Sequence, residues 1–160
     1  MGLYGKPIPS GYTTITPGMT FKDSVKAMSF YQRAFGAEII DRLPAPNGSG
    51  TMHATIKIGN SLIMLGDERP QADCGKSAET LGGSPISLYV YVDDVDATFN
   101  RALNEGARLT MPVTDMFWGD RCGSLVDPFG YPWMIATHRR DLSTEEIEKA
   151  SRDFFCPNSR

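Results

Sequence analysis

An internal repeat is the sequence feature that most limits what this chain can fold into. The segment KDSVKAMSFYQRAFGAEI (residues 22–39) and the segment VDDVDATFNRALNEGARL (residues 92–109) share five identical residues at a constant offset of 70. In both segments an aspartate precedes apolar residues at helical spacing, and a Gly-Ala pair follows them. The repeat therefore predicts two similar halves, each built around one helix.

Each predicted helix has recognisable ends and one apolar face. Asp23 is expected to cap the first helix and Asp93 or Asp94 the second, because a carboxylate accepts hydrogen bonds from the first free amides. Gly36 and Gly106 are expected to end the helices, since glycine adopts a left-handed conformation without strain. The expected apolar faces are Val25, Met28, Tyr31, Ala34 and Phe35 in the first helix, and Val95, Phe99, Ala102 and Leu103 in the second.

Extended runs surround both helices. The run YTTITPGMTF precedes the first helix, and ISLYVYV, rich in β-branched and aromatic residues, precedes the second. Three more strand candidates follow each helix, at residues 37–44, 50–59 and 60–67 in the first half and 107–113, 120–128 and 131–138 in the second. Each half is therefore predicted as βαβββ, in an α+β fold.

The rest of the chain flanks or links these two modules. The predicted boundaries are an N-terminal extension (1–10), a first module (11–68), a linker (69–85), a second module (86–138) and a C-terminal helix and tail (139–160). Ser143 followed by Glu146 forms a capping-box pattern at the start of that last helix. Phe154 and Phe155 are expected to supply its docking contact.

Composition excludes several classes of partner. The net charge is -3 and no Lys/Arg run exists, so neither nucleic acid nor a membrane is a predicted partner. No apolar run reaches membrane-spanning length, and the N-terminus lacks the apolar region of a signal peptide. The three cysteines are widely spaced, which argues against a disulfide framework or a structural zinc site. A reduced, cytoplasmic setting is expected.

Several segments resemble a known family. MTFKDSVKAMSFYQRAFGAEII, MHATIKIGNSLIMLGDE, SLYVYVDDVDATFNRALNEGA, FWGDRCGSLVDPFGYPWMIATH and DLSTEEIE together resemble the PhnB-like branch of the vicinal oxygen chelate superfamily. That superfamily includes glyoxalase I, extradiol dioxygenases and bleomycin-resistance proteins. The resemblance implies that each module is a half-barrel and that paired halves, from one chain or exchanged between two, enclose a pocket. It also implies a homodimer, with or without module exchange.

The resemblance further implies where a metal would be held. Metal-dependent members place His, Glu or Gln on the first and last strands of each module, and four side chains hold one divalent ion with open coordination sites. The matching positions in this chain are Thr16, Met64, Ser87 and Met134. Thioethers and isolated hydroxyls are poor ligands for such metals, and shifting the alignment by one residue supplies no better ones. No cofactor is therefore predicted, and a divalent metal is disfavoured.

The two histidines and the acidic end of the first module have ordinary interpretations. His53 lies in the middle of a predicted strand, where a hydrogen-bonded histidine is expected more than a metal ligand. His138 ends a strand, and a surface or structural role is favoured. Asp67 and Glu68 are able to reach a metal, but a solvated strand end is the favoured interpretation.

Two further residues of the second module carry recognisable patterns. Asp127, in the sequence DPFG, has the chemistry of a β-turn. Cys122 follows Arg121, so a lowered thiol pKa is one interpretation. An inert cysteine buried on a strand is the other.

If no metal is bound, the remaining functional feature is a pocket. The expected apolar lining consists of Tyr89, Tyr91, Phe117, Trp118, Trp133 and Met134. The polar candidates are His53 and Arg121, and an arginine is able to hold a carboxylate or phosphate by two hydrogen bonds. The alternative is that these aromatic side chains only pack between sheet and helices.

Three functions remain open from the sequence. The first is a protein that binds and sequesters a flat aromatic or amphipathic small molecule, as the bleomycin-resistance proteins of the superfamily do. The second is a metal-dependent lyase, isomerase or dioxygenase with its ligands at other positions. The third is a dimeric scaffold without a ligand. The missing His/Glu set favours the first.

Overall fold

The computed structural model describes residues 6–46, 48–69 and 75–156. Predictions that concern residues 1–5, the linker residues 70–74 with Cys74, and the tail at 157–160 lie outside the described residues. The chain divides into two compact units between Ser84 and Pro85.

The first unit is a four-stranded mixed sheet with one long helix. Its elements are β1 (Gly18–Phe21), α1 (Ser24–Phe35), β2 (Glu38–Pro44), β3 (Thr51–Ile58), β4 (Ser61–Asp67) and α2 (Ala78–Leu81). The strand order is β1-β4-β3-β2, with β1 parallel to β4 and the other pairs antiparallel. The βαβββ prediction for the first half is confirmed, and the short helix α2 lies within the predicted linker.

Helix α1 is stabilised by caps at both ends and by a buried apolar face between them. The Asp23 carboxylate accepts a hydrogen bond from an amide of the first turn at 3.1 Å, and Gly36 ends the helix with a φ of +68°. Tyr31 and Phe35 are buried and stack with ring centroids 6.1 Å apart. Val25, predicted to share this face, is 39% exposed.

The second unit repeats the same arrangement. Its elements are β5 (Leu88–Tyr91), α3 (Val95–Asn104), β6 (Arg108–Asp115), β7 (Asp120–Val126), β8 (Pro132–His138) and α4 (Thr144–Phe155). The strand order is β5-β8-β7-β6, again with only the first pair parallel. The two halves predicted from the repeat are therefore both present.

The ends of α3 distinguish between the alternatives that the sequence left open. Asp94, not Asp93, caps the helix, and its carboxylate accepts from the Ala97 amide at 2.9 Å. The helix ends at Asn104, slightly before the predicted position, and Gly106 follows with a φ of +104°.

Asp127 holds the hairpin between β7 and β8 together. Its Oδ1 accepts from the amides of Phe129 and Tyr131, each at 2.9 Å. Its Oδ2 accepts from the indole Nε1 of Trp133 at 3.0 Å, and the carboxylate is buried. The predicted turn role is confirmed, and the hairpin also fixes a buried tryptophan.

Helix α4 begins with the predicted capping box. The Ser143 hydroxyl accepts from the Glu146 amide, and the Glu146 carboxylate accepts from the Ser143 amide. Phe154 and Phe155 lie against Phe117, with ring centroids 5.5 and 5.9 Å away. Within residues 6–46, 48–69 and 75–156, no helix is long and apolar enough to cross a bilayer.

Gly123 in β7 lies where the sheet and α3 approach most closely. A Cβ atom at this position would lie 2.8 Å from a ring carbon of Phe99 in α3 and 3.0 Å from a methyl group of Val113. Both distances are shorter than van der Waals contact, so the helix sits at its observed depth because residue 123 has no side chain.

The Gly123→Ala substitution is therefore expected to lower the free energy of unfolding by roughly 1–3 kcal/mol, the usual cost of overpacking a core. Urea denaturation followed by circular dichroism measures the change. Gly18→Ala in β1 is the matched control, because a Cβ there meets nothing within 4 Å. Equal effects of the two substitutions would contradict the proposed close approach.

Candidate functional site

The second sheet has one face against α3 and one face away from it. A Cβ atom at Gly123 would point toward Phe99 of α3. Side chains alternate along a strand, so the residues next to Gly123 in β7, and the residues paired with them on neighbouring strands, point to the other face. This second face, called the open face below, includes on β5, β7 and β8 the residues Tyr89, Tyr91, Asp120, Cys122, Ser124, Met134, Ala136 and His138.

Asp120 is the centre of a hydrogen-bond cluster on the open face. Its side chain is 4% exposed. Its Oδ2 accepts from the hydroxyls of Tyr89 and Tyr91 at 3.0 and 3.1 Å. The same oxygen accepts from the indole Nε1 of Trp118 at 3.3 Å, and Oδ1 lies 2.7 Å from Nδ1 of His138. Three segments distant in sequence therefore meet at one carboxylate.

The cluster holds Asp120 in its charged form. Burial by itself raises the pKa of Asp120, but hydrogen bonds from His138, Tyr89, Tyr91 and Trp118 together outweigh burial and lower the pKa below its ordinary value. Hydrogen bonds to a carboxylate stabilise the ionised form. The charge is thus satisfied within the protein, at a position that water barely reaches.

Tyr89 and Tyr91 are anchored by their hydroxyls and exposed at their rings. Burial of the hydroxyls, followed by their hydrogen bonds to Asp120, raises the pKa of both tyrosines, so both remain neutral donors. The residues are nevertheless 46% and 61% exposed, and their ring centroids are 5.0 Å apart. Two aromatic rings are therefore fixed in place while much of their surface remains available.

His138 links the buried carboxylate to the surface. Its Nδ1 faces Asp120, and its Nε2 lies 3.0 Å from Oδ1 of Asp141, whose side chain is fully exposed. The hydrogen bond to Asp120, and then that to Asp141, raises the pKa of His138. Both neighbours are acceptors, so the imidazolium form, with two N–H donors, satisfies both contacts.

Two of the sequence-predicted pocket residues point to the helix side. Trp133 is 2% exposed and donates its indole N–H to Asp127. Arg121 donates two hydrogen bonds to Asp96 of α3, each at 2.8 Å, and lies 3.4 Å from Asp115. Both side chains are engaged in the fold of the second unit, so we leave them out of the candidate site.

The remaining aromatic and apolar candidates of this unit lie at different places. Trp118 belongs to the Asp120 cluster, and its ring lies edge-to-face against Phe117, with centroids 4.9 Å apart. Phe117 mainly contacts α4. Met134 lies on the open face, paired with Tyr89 across the parallel strands.

Cys122 is buried on the open face beneath the tyrosines. Burial raises the pKa of its thiol, and Arg121 points to the opposite side of the sheet. The interpretation with a lowered pKa is therefore wrong, and the interpretation as a buried strand cysteine is confirmed.

A cavity of about 440 Å³ adjoins the Asp120 cluster. Its charged lining consists of Asp115, Asp120, Arg121, Arg139 and Arg140. Arg139 and Arg140 follow directly after His138, and their amides donate to the carbonyl of Gly119. These contacts hold the end of β8 beside the turn that carries Trp118.

His53 lies on β3 of the first unit, in a different sheet from Asp120. It borders a cavity of about 280 Å³ that Met64 and Thr20 also line. Its Nε2 is 3.3 Å from the Thr55 hydroxyl and 4.0 Å from an Asp41 oxygen. Asp67, which also lines this cavity, accepts hydrogen bonds from the amides of Ser24 and Thr51. Glu68 accepts one from the amide of Ser77.

Comparison with known families decides the ancestry of the chain. The profile of the Glyoxalase/Bleomycin resistance protein/Dioxygenase superfamily matches residues 15–135, which include both βαβββ units except for the end of β8. The chain belongs to this superfamily.

Individual proteins are similar to this chain in sequence or in fold. The Mycobacterium bovis protein Mb0911c is 39% identical over 138 residues, covering 85% of this chain and 90% of its own length. The PhnB protein of Bacillus cereus has a similar fold, with a TM-score of 0.61, 21% identity, and coverage of 78% of this chain and 99% of its own. The fosfomycin resistance protein FosX of Listeria monocytogenes, solved with Mn(II) and sulfate, has a TM-score of 0.60 at 17% identity, covering 84% and 95%.

The residues of this chain do not fit the metal held by metal-dependent members of the superfamily. Two of the four positions that match metal ligands, Met64 on β4 and Met134 on β8, carry thioether side chains. Met64 pairs with Gly18 of β1, and Met134 pairs with Tyr89 of β5. Thr16 and Ser87 precede β1 and β5 and offer single hydroxyls. Within the described ranges, no group of three or more His, Cys, Asp or Glu side chains is arranged to hold an ion. The donor set is thus unsuited to a borderline divalent metal.

Asp120 is the central residue that the sequence analysis did not identify. A signal was present in the two tyrosines at alternate positions of one strand, which must share a face. The sequence did not show that the aspartate at the start of β7 and the histidine at the end of β8 would complete that face. Their pairing depends on the register of β7 with β8.

The raised pKa of His138 yields a test by NMR titration. We expect a His138 midpoint above its ordinary value of 6.5, and a larger decrease in Asp120→Asn than in Asp141→Asn, because Asp120 contributes more to the shift. The chain has two histidines, so the His53→Gln variant assigns the resonances.

The sign of the accompanying stability effect follows from the same shift. The stabilisation due to His138 is complete below the pKa of the unfolded state and is lost as the pH rises through the raised pKa of the folded state. Urea midpoints measured across this range should decrease in the parent protein and stay flatter in His138→Gln. An unshifted His138 midpoint would argue against the Asp120 contact.

Proposed function

We propose that this protein binds and sequesters a flat aromatic or amphipathic small molecule on the open face of its second unit, without a complete metal chelate. The observation that carries the proposal is the pair Tyr89 and Tyr91. Their hydroxyls are fixed on a buried carboxylate while their rings remain exposed. Exposed apolar surface held rigid in this way is typical of a binding site.

The two tyrosine rings are preorganised for binding. A ligand that stacks on a mobile tyrosine must first immobilise it, which costs part of the binding free energy. Here the hydrogen bonds to Asp120 have already restricted both rings. The full contact of the two rings therefore contributes to binding, with Trp118 at the edge of the same cluster.

The family context supports the same interpretation. The PhnB protein has a similar fold, and the segments quoted above resemble the PhnB-like branch. FosX was solved with Mn(II), whereas this chain has thioethers and hydroxyls at the positions that the superfamily uses for its metal. The open face therefore offers a ligand aromatic contact and hydrogen bonds.

A screen of flat aromatic compounds against the purified protein tests the proposal. Binding is expected to quench tryptophan fluorescence through Trp118. The Tyr91→Ala and Trp118→Ala variants should each weaken affinity about three- to tenfold, the value of one aromatic contact, without unfolding the protein. Tyr12→Ala is the matched control, because its hydroxyl also binds a sheet side chain, Thr55 at 3.1 Å, but in the first unit.

Two results would contradict the proposal. Unchanged affinity in both open-face variants would assign Tyr91 and Trp118 to packing. Elemental analysis that finds one tightly bound Zn, Ni, Mn or Fe per chain, lost in His53→Ala, would favour the alternative of a metal-dependent lyase, isomerase or dioxygenase.

We also propose that the protein is a homodimer, with or without exchange of modules. Strand β2 at the edge of the first sheet is exposed along its whole length and carries Ile39, Ile40 and Leu43. An exposed apolar edge strand is a site of association between chains.

Sedimentation analysis is expected to give a mass near twice 17.6 kDa. Ile40→Lys should shift the protein toward the monomer, because it places a charge on the exposed edge. Leu81→Lys in α2 is the control, since Leu81 is also exposed but lies outside the edge strand. A mass near 17.6 kDa across a dilution series would show that the chain is monomeric.

A further inference from the structure

Among the side chains that contact Asp120, His138 is the one that is able to carry a positive charge. Its ring is fixed from one side, because Nδ1 donates to the buried Asp120 at 2.7 Å. The other nitrogen, Nε2, points to Asp141, which is fully exposed. An N–H donor is therefore held in a defined direction, and only a solvent-exposed side chain occupies it.

We infer that the open face selects aromatic compounds that carry a carboxylate or another oxyanion, and that the Nε2–H of His138 donates to this oxyanion in place of Asp141. This inference rests on the proposed function, because it names the ligand class of the same site. It is nevertheless separable from that function, since an aromatic site is able to bind without selecting for charge.

The positions of the rings and the donor suit one ligand. Tyr89, Tyr91 and His138 all bind the same carboxylate, so their polar atoms lie within a few ångströms of one another. A planar group stacked on the tyrosine rings therefore has its edge within reach of the histidine. With the ligand bound, both N–H groups of the imidazolium would still have an acceptor: Asp120 at Nδ1 and the ligand oxyanion at Nε2.

Asp141, which lies beside Nε2 of His138 in the free protein, is easily displaced. Asp141 is fully exposed, and an exposed ion pair is stabilised weakly because water and salt screen it. Asp120, by contrast, is buried and has four partners. A ligand would thus exchange one surface carboxylate for its own and leave the internal cluster intact.

The surrounding charges favour an anion over a cation. The charged and titratable groups near His138 are Asp120 and Cys122 of β7, Tyr89 and Tyr91 of β5, and Asp141, Arg139 and Arg140 of the segment after β8. The two tyrosines and the buried thiol have raised pKa values and stay neutral, and Asp120 is already compensated. In the adjoining cavity Arg121 is paired with Asp96 and Asp115, and Arg139 and Arg140 add further positive charge. The exposed carboxylates of this region are those of Asp141, beside His138, and Asp115, beside Arg121.

The test uses three probes that share one ring system. They are 2-naphthoate, its neutral methyl ester, and 2-naphthylmethylammonium, each titrated into the full chain by calorimetry or fluorescence at pH 6. This pH favours the protonated form of His138, because the hydrogen bonds to Asp120 and then Asp141 raise its pKa. We expect 2-naphthoate to bind about tenfold more tightly than the ester, the value of one charge-assisted hydrogen bond, and the ammonium compound to bind most weakly.

Two variants distinguish a ligand-binding role of His138 from a structural one. His138→Gln should bring the ratio of 2-naphthoate affinity to ester affinity, measured in the same variant, down to about one. Asp141→Asn should increase affinity for 2-naphthoate severalfold, because it removes the internal competitor. Asp93→Asn is the matched control, since it removes the same charge from an exposed aspartate before α3. If His138 only supported Asp120, neither variant would change the preference.

The pH dependence supplies an independent measurement. The preference for 2-naphthoate should be complete at low pH and disappear as the pH rises through the His138 midpoint found by NMR, while ester affinity stays constant. Equal affinity for all three probes, or a preference for the ammonium compound, would overturn the inference and leave the proposed function standing. No binding of any probe at millimolar concentration would overturn both.

Discussion

The buried carboxylate of Asp120 is the constraint on which the arrangement of the second unit's open face depends. A charge that is 4% exposed is tolerated only when it is paired and hydrogen bonded, and the four donors around Asp120 meet this requirement. In meeting it, they fix two tyrosines, a tryptophan and a histidine relative to one another. Removing the carboxylate would take away the acceptor that these donors share, so the whole site would lose its fixed arrangement.

A second buried aspartate in the same sheet shows how position determines the role of a carboxylate. Asp127 accepts two amide hydrogen bonds and one indole hydrogen bond within its own hairpin. Its partners are close in sequence, so it stabilises local structure. The partners of Asp120 come from β5, β8 and the turn before β7, and three of their four side chains reach toward the surface. The same residue type thus holds a turn at one end of β7 and a candidate binding site at the other.

The chain retains the fold of its superfamily while its residues at the superfamily's metal positions cannot form the chelate. Met64 and Met134 occupy sheet positions where a carboxylate or imidazole would be needed. The hydrogen-bond cluster of the second unit lies at the end of the sheet, at Asp120 and His138. The exposed tyrosine rings beside this cluster form the kind of surface that a planar ligand contacts.

The sequence by itself determined the two βαβββ units, because helix caps, hydrophobic periodicity and the turn at Asp127 are local signals. Asp23, Gly36 and the Ser143–Glu146 box all function as their neighbours in sequence predicted. The sequence also placed Tyr89 and Tyr91 on one face, since strands alternate. Only the tertiary structure decided that Trp133 and Arg121 face the helix side, and that Asp120 joins the tyrosines. The physical reason is that the face and partner of each side chain depend on cross-strand register. Tyr89 and Asp120 are 31 residues apart, and no local pattern encodes their contact.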